Sequence, residues 1–196
     1  MGTRGVFGVR VGGTDKMMYN QFDSYPDGLG QEVVEQVRGI LKDNGLRWFK
    51  DRAENLRMVN EDSPPPTAAE KDLMRGYANL GVSNQSMDDW YCLFRELQHQ
   101  LKGYLELGAM LSAEDFILDS LFCEYGYIAN LDEQVFEVYQ GFQKEKHKLG
   151  RYCDKKTDQS GYYPCALVAT FPLEDIPDDW IKQLPGEDED EEEDAA

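Results

Sequence analysis

Residues 4–22, RGVFGVRVGGTDKMMYNQF, decide the fold. Arg4 to Val11 alternates its side chains and is rich in β-branched residues, the pattern of a strand. Gly12-Gly13-Thr14-Asp15 is a turn signal, and Lys16 to Phe22 reads as a second strand. The chain therefore opens on a β-hairpin. Alternation puts Arg4, Val6, Gly8 and Arg10 on one face of the first strand. On the second it puts Lys16, Met18 and Asn20 opposite Met17, Tyr19 and Gln21. A polar face on a half-buried sheet is expected to meet solvent.

Working outward, Asp23 to Gly28 is a loop of turn residues. From Leu29 the period lengthens, and Val33, Val34, Val37, Ile40 and Leu41 mark an amphipathic helix ending near Asn44-Gly45. A second helical run is expected over Leu46 to Val59, burying Trp48, Phe49, Leu56 and Val59. Pro64, Pro65 and Pro66 stiffen the connector that follows. Thr67-Ala68-Ala69-Glu70 is a capping box opening a helix to about Leu80. Met87 to Leu107 carries the strongest periodicity, through Trp90, Leu93, Phe94, Leu97, Leu101, Tyr104 and Leu105. It predicts one long helix with Asp88 and Asp89 at its favourable end. Ser112 with Asp115 predicts one more short helix, through about Ser120.

Strands return in the last third. Phe122 to Asn130 and Gln134 to Phe142 flank Leu131-Asp132-Glu133 and read as a second hairpin. Lys144 to Arg151, KEKHKLGR, is basic and expected to be exposed. Tyr162 to Phe171 reads as a buried strand, with Pro164 near its start where an edge tolerates it. Pro172 to Leu184 reads as a closing turn and a short helix around Trp180. Strands, then helices, then strands imply an α+β fold with an antiparallel sheet and a central helical block. The expected organisation is one α+β domain over 1–186 and a disordered acidic tail over 187–196. Glu187 to Asp194 is eight consecutive acids, too charged to bury apolar surface.

The 196 residues carry 38 acids against 20 bases, a formal net charge of −18. Without the run Glu187–Asp194, 30 acids against 20 bases still leave −10. That excludes binding bare DNA or RNA by broad charge attraction. No apolar run reaches the length of a membrane span, and the first residues lack the layout of a signal peptide; a cytoplasmic protein is expected. Cys92, Cys123, Cys153 and Cys165 are not at metal-ligand spacing with each other or with His99 and His147. No metal and no cofactor is expected, and both histidines read as surface residues. No P-loop or dinucleotide fingerprint occurs, and no set of residues reads as catalytic.

Two functional readings follow. The first is a non-enzymatic acidic interaction protein that binds a basic surface on another protein, in its sharpest form as a nucleic-acid mimic. The second is a small-anion or nucleotide site on the opening hairpin, built from Arg4, Arg10, Lys16, Tyr19, Asn20, Asp23, Ser24 and Tyr25. Its glycines allow close backbone approach, its tyrosine hydroxyls need partners, and its three bases suit an anion. That site requires the side chains to converge on one cleft.

Gly2-Thr3-Arg4-Gly5, Asp15-Lys16, Tyr19-Asn20, Phe22-Asp23-Ser24-Tyr25-Pro26 and Leu29-Gly30 resemble the opening of a family of uncharacterised bacteriophage and bacterial proteins. Tyr125 to Tyr139 resembles that family's later hairpin. The resemblance implies a phage context, with a host or defence protein as the partner, and no particular reaction. The Gly-rich hairpin followed by helices is also similar to the layout of amino-terminal nucleophile hydrolases. That likeness implies Thr3 as the nucleophile, after cleavage of the Gly2–Thr3 bond, because Gly2 offers none.

Overall fold

A computed structural model describes residues 2–157 and 160–185. The acidic run Glu187–Asp194 lies outside the described residues, as does the expectation that it is disordered. β1 (Gly5–Val11) and β2 (Thr14–Asn20) form the opening hairpin, in register from Gly5↔Asn20 to Val11↔Thr14. Its two turn residues, Gly12 and Gly13, both have positive φ, 58° and 75°. Only glycine adopts that backbone cheaply, and the resulting turn matches the twist of the strands.

A kinked turn, Pro26–Gly30, leads into α1 (Gln31–Asp43) and α2 (Gly45–Asn55). α2 stops short of the expected Val59. Leu56 turns extended, and residues 57–59 form β3 (Arg57–Val59) instead. α3 (Ala68–Met74) opens on the expected capping box: Thr67 Oγ1 accepts from Glu70 N, and Glu70 Oε2 accepts from Thr67 N. It ends in a tight turn at Tyr77, before Leu80.

The long helix expected over Met87–Leu107 is two short ones, α4 (Trp90–Phe94) and α5 (Leu101–Leu107). All seven periodic residues are buried, but the helix breaks between them at Gln98, whose φ is 47°. Side-chain bonds hold the break. Tyr104 Oη donates to Gln98 O at 2.7 Å, and Gln36 Nε2 donates to His99 O at 2.9 Å. β4 (Ala109–Leu111) then pairs in parallel with β3. Both strands are too short to carry a readable period. The short helix expected after Ser112 is a single turn, Phe116–Leu118, and the Ser112 hydroxyl bonds Glu114 rather than capping with Asp115.

β5 (Tyr125–Asn130) and β6 (Val135–Gln140) form the second hairpin, and β7 (Ala166–Pro172) adds to it. The five strands lie in the order β2-β1-β5-β6-β7. The fold is α+β, with the opening hairpin beside the late strands, as the strand and helix blocks imply. The sheet is mixed: β1 and β5 run parallel, from Gly5↔Tyr125 to Arg10↔Asn130, and the other pairs antiparallel. Each hairpin is antiparallel within itself. The intervening block returns the chain to the end where β1 began, so the joint between the hairpins is parallel.

One face of the sheet, with Phe7, Val9, Tyr127, Phe136 and Val138, packs under Val33, Val37 and Ile40 of α1 and against Trp180. The other face is not left to solvent. Val6, Met17, Ile128 and Tyr139 pack against Ile117, Cys123, Tyr152 and Cys165. β1 is therefore buried on both faces, contrary to the expected solvent face, whereas β2 at the sheet edge stays largely half-buried apart from Met17. No helix among the described residues is long and apolar enough to cross a membrane.

Candidate functional site

The eight polar residues of the opening do not converge. Arg4 lays its guanidinium 4.5 Å over the Phe122 ring, and its backbone N–H donates to Glu124 Oε1 at 3.1 Å. Arg10 pairs across the hairpin with Asp15 at 2.9 Å. Lys16 Nζ donates to the carbonyls of Ala53, Glu54 and Leu56 at 2.7, 2.9 and 2.7 Å. It thereby closes the C-terminal end of α2, where backbone acceptors are otherwise orphaned. Burial lowers its pKa, and the Glu54 charge works against that shift.

Asn20, Asp23, Ser24 and Tyr25 do come together, as the bend that carries β2 into α1. Asn20 Nδ2 donates to Ser24 Oγ at 2.9 Å and to Phe22 O. Leu29 N donates to Asp23 O at 2.9 Å, and Gly28 N and Gly30 N both donate to Tyr25 O. The buried Ser24 donates its N–H to Thr3 O, and its carbonyl accepts from Tyr127 Oη at 2.9 Å. Thr3 itself is buried.

A polar cluster that the sequence does not announce lies on the second face. Arg151 grips Asp15 with two bonds, Nε to Oδ2 at 3.0 Å and Nη2 to Oδ1 at 2.7 Å. Its Nη1 donates to Glu137 Oε2 at 2.5 Å and Tyr139 Oη at 2.8 Å. Glu137 is 3% exposed and also accepts from Asn130 Nδ2 at 2.7 Å and Tyr139 Oη at 3.2 Å. Burial alone would raise the Asp15 pKa; the Arg151 guanidinium, with Tyr152 and Arg10, reverses this and holds it below its ordinary value. Burial raises the Tyr139 hydroxyl, and Glu137 adds to the rise.

Two carboxylates and two guanidiniums balance here, and neither cleft described below includes these residues. The cluster works as an anchor for the segment 143–165. Arg151 is thus drawn inward from a stretch expected to be exposed. His147 also points in, with Nε2 2.8 Å from Pro164 O. His99 pairs with Glu32 at 2.6 Å.

A cleft of about 870 Å3 opens beside β2. Met18 and Tyr19 form one wall, the ends of β3 and β4 the floor, and residues 60–65 and 83–91 the rim. Four carboxylates line it, Glu61, Asp62, Asp88 and Asp89, together with the rings of Tyr19, Trp90 and Tyr91; no lysine or arginine does. Asp89 caps α4, accepting from Tyr91 N at 2.8 Å, Ser83 Oγ at 2.6 Å and Asn84 N at 3.3 Å. Burial would raise its pKa, but these bonds, led by Ser83, hold it below the usual value. Asp88 pairs with Lys71 from outside the cleft.

Glu61 and Asp62 make no ion pair with any described residue, although each is exposed on the rim. Trp90 is fixed by Nε1 donating to Pro64 O at 3.0 Å, with Arg57 5.0 Å over its ring. Tyr91 carries Arg95 at 5.8 Å and Tyr19 sits edge-on to Phe116. Carboxylates beside aromatic faces attract a guanidinium or ammonium and repel an anion. No cysteine or histidine lines the cleft, and no cluster of three or more His, Cys, Asp or Glu side chains set for a metal ion occurs among the described residues.

A second, more open cleft of about 610 Å3 mixes Arg38 and Lys42 with Glu174, Asp175 and Asp178. One pair joins across it, Arg38 meeting Asp178 at 2.9 Å.

No protein-family model, curated protein or solved structure matches the chain. Of the eight hairpin residues, only Tyr19 lines the cleft. Its carboxylates come from the acid pairs Glu61-Asp62 and Asp88-Asp89. The second pair reads in sequence as a helix cap, and the first sits in a connector. Their meeting depends on the β3–β4 ladder and the turn after it.

Proposed function

We propose that this chain is a non-enzymatic acidic interaction protein whose cleft receives a basic side chain from the surface of a partner protein. The lining supports it: four carboxylates and three aromatic rings with no base among them. Glu61 and Asp62 offer charge that no described residue neutralises, beside the Tyr19 ring in the cleft wall. The surplus of −10 on the body steers a basic partner toward the site. The phage-type resemblance of the opening suggests that the partner is a host or defence protein. The anion-binding alternative loses ground because Lys16 and Arg10 are already engaged, with helix carbonyls and with Asp15.

The test is fluorescence anisotropy with short labelled peptides that differ only in one central residue. Peptides centred on Arg or Lys are expected to bind, more weakly as NaCl rises from 50 to 300 mM. Replacing both free acids (Glu61→Gln with Asp62→Asn) is expected to weaken binding by about tenfold, in line with one or two charge-assisted contacts. Equal binding of Glu-centred peptides, or no salt dependence, would defeat the proposal. Thermal stabilisation by nucleotides instead would favour the hairpin anion site.

A further inference from the structure

The molecule carries a second charged surface, opposite in sign to the cleft. Five of the eleven lysines lie within residues 144–156: Lys144, Lys146, Lys148, Lys155 and Lys156. All five are exposed. None makes an ion pair with a described residue, whereas Lys71 and Lys102 pair with Asp88 and Asp43. Only Glu145 and Asp154 oppose them within the stretch.

This lobe is held in place from beneath. Arg151 grips Asp15 and Glu137, His147 meets Pro164 O, Tyr152 is buried, and Leu167 N donates to Leu149 O. The polar anchors face inward and the ammonium groups face outward. Like charges displayed so closely repel one another and gain from a polyanion laid across them.

We propose that the occupant of this lobe is the chain's own acidic run, Glu187–Asp194. Charge complementarity supports it, eight consecutive acids against five lysines on a body that is otherwise acidic. Reach supports it too. The described body ends at Pro185, after the segment that follows β7. The lobe abuts the start of the same strand, at Leu167. The closing residues Trp180 and Leu184 pack on the first face, so the run has to round β7, the edge strand, to meet the lobe; residues 186–194 can extend to about 30 Å. A tether this short gives a millimolar effective concentration, enough for weak ion pairs to hold. A free nucleic acid would instead meet repulsion from the whole chain. This inference does not depend on what enters the cleft.

Zero-length carbodiimide crosslinking of the full-length protein, read by mass spectrometry, tests it. An equal mixture of 14N- and 15N-labelled chains separates links within a chain from links between chains. Links from residues 187–194 to Lys144, Lys146, Lys148, Lys155 or Lys156 are expected, within one chain and absent at 1 M NaCl. Converting the acids of the run to their amides is expected to raise the acetylation rate of those five lysines several-fold, leaving Lys42 and Lys50 unchanged. Links made chiefly to Lys42, Lys50 or Lys182, links between differently labelled chains, or unchanged acetylation rates would overturn the proposal. Peptide binding at the cleft is measured separately, so the two proposals fail independently.

Discussion

On one face of the central sheet, Tyr127, Phe136 and Phe171 surround the Trp180 ring at centroid distances of 6.4, 5.9 and 6.2 Å. On the other, Arg151 distributes its guanidinium between Asp15 and Glu137. The difference follows from what covers each face. The first lies under α1 and α2, whose backbone groups are satisfied within the helices except at their ends, so apolar burial does most of the docking. The second lies under segments with little regular structure, which have no ladder of their own. Something directional must fix them, and ion pairs and side-chain bonds to backbone do so. Apolar contact specifies that a segment is covered; polar contact specifies where it sits.

The sharpest way to break this contrast is to remove one keystone from each face. Trp180→Ala takes a fully buried ring from the first face and is expected to cost about 3–5 kcal/mol, read from chemical denaturation. A loss below about 1 kcal/mol would show that the ring cluster does not carry that face. Arg151→Met removes the shared cation from the second, leaving Asp15 and Glu137 facing each other without it. The expected cost is about 3 kcal/mol, with most regained when Asp15→Asn and Glu137→Gln are added. Early proteolysis within 143–165 is expected in the single variant. If Arg151→Met melts like the parent, the anchor is a surface ornament.

The smallest effect is the acid response. Asp15 is held below its ordinary pKa chiefly by Arg151 acting against burial. Asp132 is lowered by the Gly13 and Gly12 amides, each at 2.8 Å. A carboxyl depressed in the folded state stabilises fully above its unfolded pKa of about 4. That stabilisation is lost as pH falls through the lower folded value. The melting temperature is expected to drop below about pH 4, and less steeply in Asp15→Asn than in the parent. Parallel curves would remove the second face from the explanation.

Much of the first face could be read in the sequence, because it uses repeating patterns. Val33, Val37 and Ile40 announce α1, and the Thr67–Glu70 box announces α3. Both hairpins are marked by alternation around Gly12-Gly13 and Leu131-Asp132. What could not be read lies where a non-repeating contact decides. The seven periodic residues of Met87–Leu107 are core residues, yet period alone cannot show that the chain breaks at Gln98, a break held by Tyr104 and Gln36 from elsewhere. Lys16 resembles a ligand group until three carbonyls of α2 arrive beside it. Arg151 resembles a surface base because its partners, Asp15 and Glu137, stand 136 and 14 residues away. The cleft was the least legible part, since its two acid pairs sit in stretches whose local signals are a turn and a cap.

The parallel joint between β1 and β5 pairs residues 120 apart in sequence. During synthesis at about 5–20 residues per second, β1 and β2 leave the ribosome on the order of ten seconds before β5 exists. Throughout that interval β1 has β2 on one edge and nothing on the other, and Val6 lacks the later residues Ile117, Ile128 and Tyr139 that cover it. For those seconds the nascent chain carries one unpaired edge of β1, the kind of surface on which misassembly starts.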